Sequence, residues 1–176
     1  MYAPIGQLAA NVALGPLPLA RRMITRDLGF ANASVRTVFD QVRAVEAWPR
    51  LLPHYRHVRI IERDAAGGGI VDMSAVRAFG ALKWPTWWRS LMEIDHARPA
   101  VRFRHIGGVT TGMDVDWSFE AAERGTHITL VHSWDGPPWP FVRTFAATRV
   151  IGPVFVHAIA TLTLAGLARA AELEER

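Results

Sequence analysis

The sequence predicts an α+β fold: a seven-stranded curved antiparallel sheet, two short helices after its first strand, and a long C-terminal helix laid across it. Three observations predict it. From Tyr55 to Asp135 the chain reads as short segments alternating apolar and polar residues, divided by turn signals, as a half-covered antiparallel sheet requires. Ahead of them, Val35, Val38, Phe39 and Val42 recur at spacings of three and four, the period of a helix with one buried face. Behind them, the run from Phe141 to Leu173 carries no charged residue between Arg149 and Arg169. There Val150, Val154, Ile159, Leu162, Leu164 and Leu167 wrap most of the way round a helix, which must therefore be buried in protein or in lipid.

The chain has 176 residues, enough for one domain with a sizeable core. The expected organisation is an apolar N-terminal arm over 1–20 and a ligand-binding domain over 21–176. Seven Trp exceed what a small core needs, so some indole is expected to line a pocket. Nineteen of the twenty basic residues are Arg, interleaved with Asp and Glu without a basic block, and the net charge is only +4, which argues against a nucleic-acid partner. With no Cys, disulfides, thiol nucleophiles and thiolate metal sites are excluded. The first charges, Arg21 and Arg22, follow the apolar arm instead of preceding it, the reverse of a secretory signal, so the arm is expected to pack as a helix over Ile5 to Leu14 and the location to be cytoplasmic.

Taken in order, Arg22 to Phe30 is the first strand. Asn32 or Ser34 caps the helix Val35 to Arg43. Glu46 to Leu52, with Trp48-Pro49 inside it and Pro53 after it, makes a second helical turn. Tyr55 to Arg63 is the second strand, Asp64 to Gly69 a turn, Ile70 to Phe79 the third strand and Thr86 to Asp95 the fourth. The fourth turns Trp88, Ser90, Met92 and Ile94 inward. Ala100 to Ile106 faces Val101, Phe103 and His105 inward; Met113 to Glu120 does so with Met113, Val115, Trp117 and Phe119; Thr126 to Asp135 with Ile128, Leu130, His132 and Trp134. A one-residue slip would invert all of these faces, so Arg102 is expected beside Asp116 and Arg104 beside Asp114. Gly152-Pro153 predicts a kink or a break in the final helical region, because Pro lacks the backbone donor.

Val150 to Ala168 approaches the roughly 20 residues that span a bilayer. Against a membrane anchor stand Gly152, Pro153, His157, Thr161 and Thr163, an acidic end from Glu172 to Glu175, and seven strands whose apolar face would lose its cover. The helix is therefore read as a buried lid.

The order of elements resembles that of the helix-grip, or START and Bet v 1-like (SRPBCC), proteins. Val38-Phe39-Asp40, Val45-Glu46-Ala47-Trp48-Pro49, the run Tyr55 to Asp64, Trp117-Ser118-Phe119-Glu120 and Thr126 to Trp134 look like the polyketide cyclase/dehydrase branch and the coenzyme Q-binding START-like proteins. The resemblance covers roughly Arg22 to Glu174. It implies a cavity between sheet and C-terminal helix for an apolar or aromatic small molecule. In the aromatase/cyclases of this group a Tyr matching Tyr55, Trp residues on the fourth strand and a buried Arg hold and polarise the substrate. Tyr55 and Trp88 match; Met92 stands where the Arg would be, and Arg89 has the wrong parity to point inward. Without that cation, enolate stabilisation loses its obvious source.

His132 lies inward between Leu130 and Trp134, where an imidazole can act as general base or hydrogen-bond a ligand carbonyl. The plainer reading is a core His satisfied by a backbone group or by Ser90. His105 and His157 are further cases of the same kind. The ligand-binding candidates are Trp48, Tyr55, Trp88, Ser90, Met92, Phe103, His105, Trp117, His132, Trp134 and His157, with His132 and Tyr55 the candidate acid/base pair. Asp72 and Arg77 have opposite parity, so at most one lines the pocket. His54 and His57 lack an HExxH context, and neither a metal nor a cofactor is expected. Two functions are expected from these residues: binding of a lipid, quinone or polyketide-like molecule without chemistry, or a cyclase/dehydrase reaction. An ionised group other than His inside the pocket would favour the second. A third reading is peripheral membrane contact through Met1 to Leu19 and the cluster Trp84, Trp87 and Trp88.

Overall fold

The computed structural model describes residues 6–8, 10–79, 82–137 and 156–176. Its strands are β1 (Gly6–Gln7), β2 (Met23–Ala31), β3 (Tyr55–Arg63), β4 (Gly69–Phe79), β5 (Leu82–Asp95), β6 (Ala100–Gly108), β7 (Asp114–Ala122) and β8 (Gly125–Trp134); its helices are α1 (Val35–Arg43), α2 (Trp48–Leu51) and α3 (His157–Glu174). The sheet runs β1-β3-β4-β5-β6-β7-β8-β2. From β3 to β8 every neighbour is an antiparallel meander partner, and β2 pairs antiparallel with β8, so the sheet's far ends are joined in sequence by the helices between β2 and β3.

Local chemistry accounts for these helices. Ser34 accepts a hydrogen bond from the Thr37 amide at 3.2 Å and so caps α1, whose Val38, Phe39 and Val42 are buried. A 3-10 turn at Val45–Ala47 leads into α2, whose first turn takes Pro49 where a missing N–H is harmless.

The core lies between the concave face of the sheet and the helices. Val71, Met73 and Ala75 of β4, Met92 and Ile94 of β5, Val101 and Phe103 of β6, and Ile128, Leu130 and Trp134 of β8 are buried there. Helix α3 lies chiefly over β2 and α1, with Ala160, Leu164, Leu167, Ala168 and Ala171 turned in. Contact is close where glycine allows it: a Cβ on Gly166 would sit 2.2 Å from Leu52 Cδ2. The acidic end of α3 fastens to the opposite helix: Glu175 accepts from Ser34 and Thr37, Glu174 from Gln41, and Glu172 from the Asn32 amide at 2.9 Å. Among the described residues no helix is long and apolar enough to cross a membrane. The expected kink at Gly152-Pro153, and the start of the C-terminal run from Phe141, lie outside the described residues.

Two expectations need correction. The fourth predicted strand starts at Leu82, not Thr86: Trp84 pairs with Arg77 and Pro85 with Val76, so Pro85 sits within the ladder and does not mark its beginning. The N-terminal arm is not a helix where it is described. Gly6–Gln7 form a parallel edge pair with Glu62 and Arg63, and residues 10–20 contain no helix. The arm instead crosses the outer face of the sheet, its backbone held by outward-pointing side chains. The Val12 amide donates to Asp64 and the Leu14 amide to Glu93, both at 2.9 Å, and Arg102 donates to the Gly15 carbonyl at 2.9 Å. Gly15, Pro16 and Pro18 favour such an extended path over a helix.

The outer charges set the register as expected. Arg102 meets Asp116 and Arg104 meets Asp114, each at 2.7 Å. The two pairs are not equivalent. Asp114 is 3% exposed and also faces Arg21 at 2.8 Å, whereas Asp116 remains partly open. Replacing Asp116 by Asn should change stability by less than about 1 kcal/mol, whereas Asp114→Asn should remove about 2–3 kcal/mol by leaving two guanidinium groups without their shared partner. Urea denaturation of both variants checks the order.

Candidate ligand cavity

Between the concave sheet and α3 lies a cavity of about 450 Å³. Its walls are mostly aromatic and aliphatic, with Trp48, Trp84, Trp88, Phe103, Trp117, Met73 and Leu130 from the sheet and α2, Met113 from the β6–β7 connection, and Val156, Ile159 and Ala160 from the lid side. An apolar cavity of this size with a few convergent polar groups is the usual form of a small-molecule site. Besides Thr86 on β5, the polar groups fall in two patches. One is on the sheet: His105, Thr110 and His132. The other is under α3: Tyr55 and Thr163.

Each patch is built by neighbouring elements. His105 on β6 bonds through Nδ1 to Thr110 Oγ1 at 2.7 Å, a residue of the β6–β7 turn, and stacks on Trp88 with ring centroids 5.9 Å apart. That turn needs Gly108, whose φ is +90° and whose Cβ would meet the Trp87 carbonyl oxygen at 2.4 Å. His132 on β8 bonds through Nδ1 to Thr25 Oγ1 of β2 at 3.3 Å. Under α3, Thr163 lies beside the Tyr55 phenol, holds His54 Nε2 at 2.9 Å and donates to the Ile159 carbonyl at 2.8 Å. Trp48 anchors the aromatic wall. Its ring meets Tyr55 edge-on at 5.2 Å and Trp117 at 6.1 Å, and its indole N–H donates to the Gln41 carbonyl at 3.2 Å.

Electrostatically the cavity is quiet. Among the described residues that line it there is no Asp, Glu, Lys or Arg. Burial pushes His105 down to about 3, helped by the nearby His132, and pushes His132 down to about 4, helped by the nearby His157. Both imidazoles are neutral at pH 7. Burial also raises the Tyr55 phenol well above its ordinary value, outweighing the opposite effect of the neighbouring Thr163 hydroxyl.

Of the sequence-derived candidates, Trp48, Tyr55, Trp88, Phe103, His105, Trp117 and His132 line this cavity, and four do not. Ser90 and Met92 are fully buried within the packed sheet face, and among the described residues the Ser90 hydroxyl has no partner. Trp134 is 1% exposed and tied to the Thr111 carbonyl at 3.0 Å. His157 turns away onto Asp27 of β2, its side chain mostly exposed. His132 takes its hydrogen bond from Thr25, not from Ser90 or the backbone. Asp72 and Arg77 are both absent from the lining; Asp72 holds Arg89 on the outer face at 2.5 and 2.8 Å, which keeps that guanidinium out of the cavity. Sequence reasoning named Trp84 as part of a cavity mouth but missed Thr86, Thr110 and Thr163. Trp84 and Thr86 share the inward parity of Trp88 and follow once the strand is extended to Leu82; Thr110 belongs to a turn, where no periodicity operates. Trp84 and Trp87 are 54% and 43% exposed, Trp84 at the rim of the cavity. Among the described residues no group of three or more metal-ligating side chains gathers.

A family model described as "Polyketide cyclase / dehydrase and lipid transport" matches residues 31–156, most of the chain. The chain belongs to that family. Solved structures agree on the helix-grip architecture of START and Bet v 1-like proteins. The Zhui aromatase/cyclase from Streptomyces sp. R1128 superposes with a TM-score of 0.74 at 18% identity, covering 88% of this chain and 96% of that one. A protein from Thermus thermophilus gives 0.70 at 16% identity, covering 88% and 100%. A START superfamily protein from Mycobacterium smegmatis gives 0.60 at 19%, covering 86% and 96%. At these identities the family member shares a fold with them, and its cavity must be read from its own residues.

Proposed function

We propose that the protein binds a hydrophobic small molecule, of lipid, quinone or polyketide-like character, between the sheet and α3 without transforming it. The observation that carries this reading is the lining itself: aromatic walls and neutral polar groups, with no ionised side chain among the described residues. Both candidate acid/base groups are poorly tuned for proton transfer at neutral pH, His132 being displaced down to about 4 and Tyr55 displaced upward. An effective acid or base lies near the working pH. Met92 stands where an aromatase/cyclase is expected to have a cation, and Arg89 is engaged outside. Native mass spectrometry of the purified protein followed by organic extraction is expected to find a stoichiometric hydrophobic guest.

The second reading, a cyclase or dehydrase acting through His132 and Tyr55, is favoured by the family match and by the presence of both side chains in the cavity wall. It predicts that guest-free protein changes the product profile of a polyketide synthase and that His132→Ala abolishes the change. That outcome overturns the binding-only reading.

A further inference from the structure

The cavity holds two imidazoles whose arrangement goes beyond general hydrophobicity. His105 and His132 are each 8% exposed, and each has Nδ1 engaged by a threonine hydroxyl, Thr110 and Thr25 respectively. Among the described residues, neither Nε2 has a hydrogen-bonding partner, and both rings line the cavity. A neutral imidazole always has one donor and one acceptor nitrogen. With Nδ1 satisfied, Nε2 presents one strong polar atom to a mostly apolar space, where an unmet hydrogen bond is costly. The residues sit on β6 and β8 with β7 between them, so their backbones stand roughly 10 Å apart and their side chains project from the same concave face.

We infer that His105 and His132 form a paired subsite that reads two separate oxygen functions, hydroxyl or carbonyl, on one uncharged ring-bearing ligand. The inference rests on the binding function proposed above and narrows it. A hydroxyl oxygen satisfies either tautomer of each ring, as donor to an unprotonated Nε2 or acceptor from a protonated one. A carboxylate does not fit. Its charge in a buried site requires a cation, the described lining supplies no Lys or Arg, and protonating either ring is opposed by its burial and by the neighbouring histidines, His132 beside His105 and His157 beside His132. Asp27 on β2 is already engaged by His157. The cavity therefore selects neutral oxygenated rings against fatty acids and other anionic amphiphiles of similar size.

Four probes separate these claims: naphthalene, 1,5-dihydroxynaphthalene, 1-naphthoate and laurate, titrated at pH 7.5 against the full-length protein after extraction, with indole fluorescence as readout. The diol is expected to bind at least tenfold more tightly than naphthalene, and both anions at least tenfold more weakly than the diol. His105→Phe and His132→Phe should each lower diol affinity severalfold, and the double variant should bring it to the naphthalene value while naphthalene binding stays within about threefold, which also reports an intact cavity. Because a double variant can lose its fold, ring-nitrogen NMR of the unaltered protein gives an independent measurement: the diol should shift both Nε2 resonances and leave both Nδ1 resonances nearly in place. Equal affinity for diol and naphthalene, tighter binding of either anion, or unmoved Nε2 signals overturns the paired subsite while leaving hydrophobic binding standing. If no ring probe binds and no guest is extracted, both the subsite and the binding function fall together.

Discussion

Lowering the pH from 8 to 5 should remove on the order of 4 kcal/mol of folding stability, about 2 from each of His105 and His132. Their folded values, about 3 and about 4, lie below the unfolded imidazole value of roughly 6.5, so the unfolded chain takes up protons that the folded chain refuses. Stability from this source is complete above pH 6.5, declines through the window from 6.5 toward 4, and levels off only when the folded rings themselves titrate. His54, also lowered by burial, adds in the same direction. Urea melts at half-unit intervals should show close to two protons taken up per molecule on unfolding near pH 5.5. The double variant His105→Phe, His132→Phe should flatten that slope. A midpoint independent of pH between 7 and 5 would mean that the rings are solvated and the cavity is wet.

Trp48→Ala is expected to lower stability by about 3–5 kcal/mol, the range for removing a large buried aromatic ring. Its indole is 2% exposed, contacts Tyr55, Phe103 and Trp117 edge-on or tilted, and its N–H satisfies the Gln41 carbonyl near the end of α1. One truncation thus withdraws packing, ring contacts and a hydrogen bond that joins α2 to α1. Trp48→Phe keeps most of the packing and should lose only about 1–2 kcal/mol, chiefly the unpaired carbonyl. Equilibrium denaturation with an unchanged dependence on urea concentration distinguishes lost stability from a changed unfolded state.

The fold was legible because strand parity is a strong constraint. Val101, Phe103 and His105, or Ile128, Leu130 and His132, can face one side only, and one buried face suffices to fix their register; Arg102 opposite Asp116 follows from it. Parity also separated inner from outer for Arg89. What it does not report is depth along a strand. Ser90 and Met92 share the inward face with Trp88 yet are covered by packing, because the cavity occupies only the end of the sheet nearest Trp84 and Thr110. The helix period failed differently for His157. Its position at the start of α3 lets it reach Asp27, a buried carboxylate on β2 whose presence no local pattern announces. The arm misled because apolar residues suggest a helix in isolation, whereas its backbone groups found side-chain partners on the sheet more than fifty residues away.

The position of β2 also bears on synthesis. Met23 pairs with Trp134 and Ala31 with Thr126, so the first long strand has its hydrogen-bonding neighbour made roughly a hundred residues later. At typical translation speeds it waits on the order of 5 to 20 s with its edge unmatched. During that interval Ile24, Leu28 and Phe30, which remain exposed even in the finished molecule, lie along a ribbon able to associate with another nascent chain. The finished sheet still leaves one edge of β2 open, so the ribosome-bound stage doubles the strand edge available for mispairing and extends the surface a chaperone would cover.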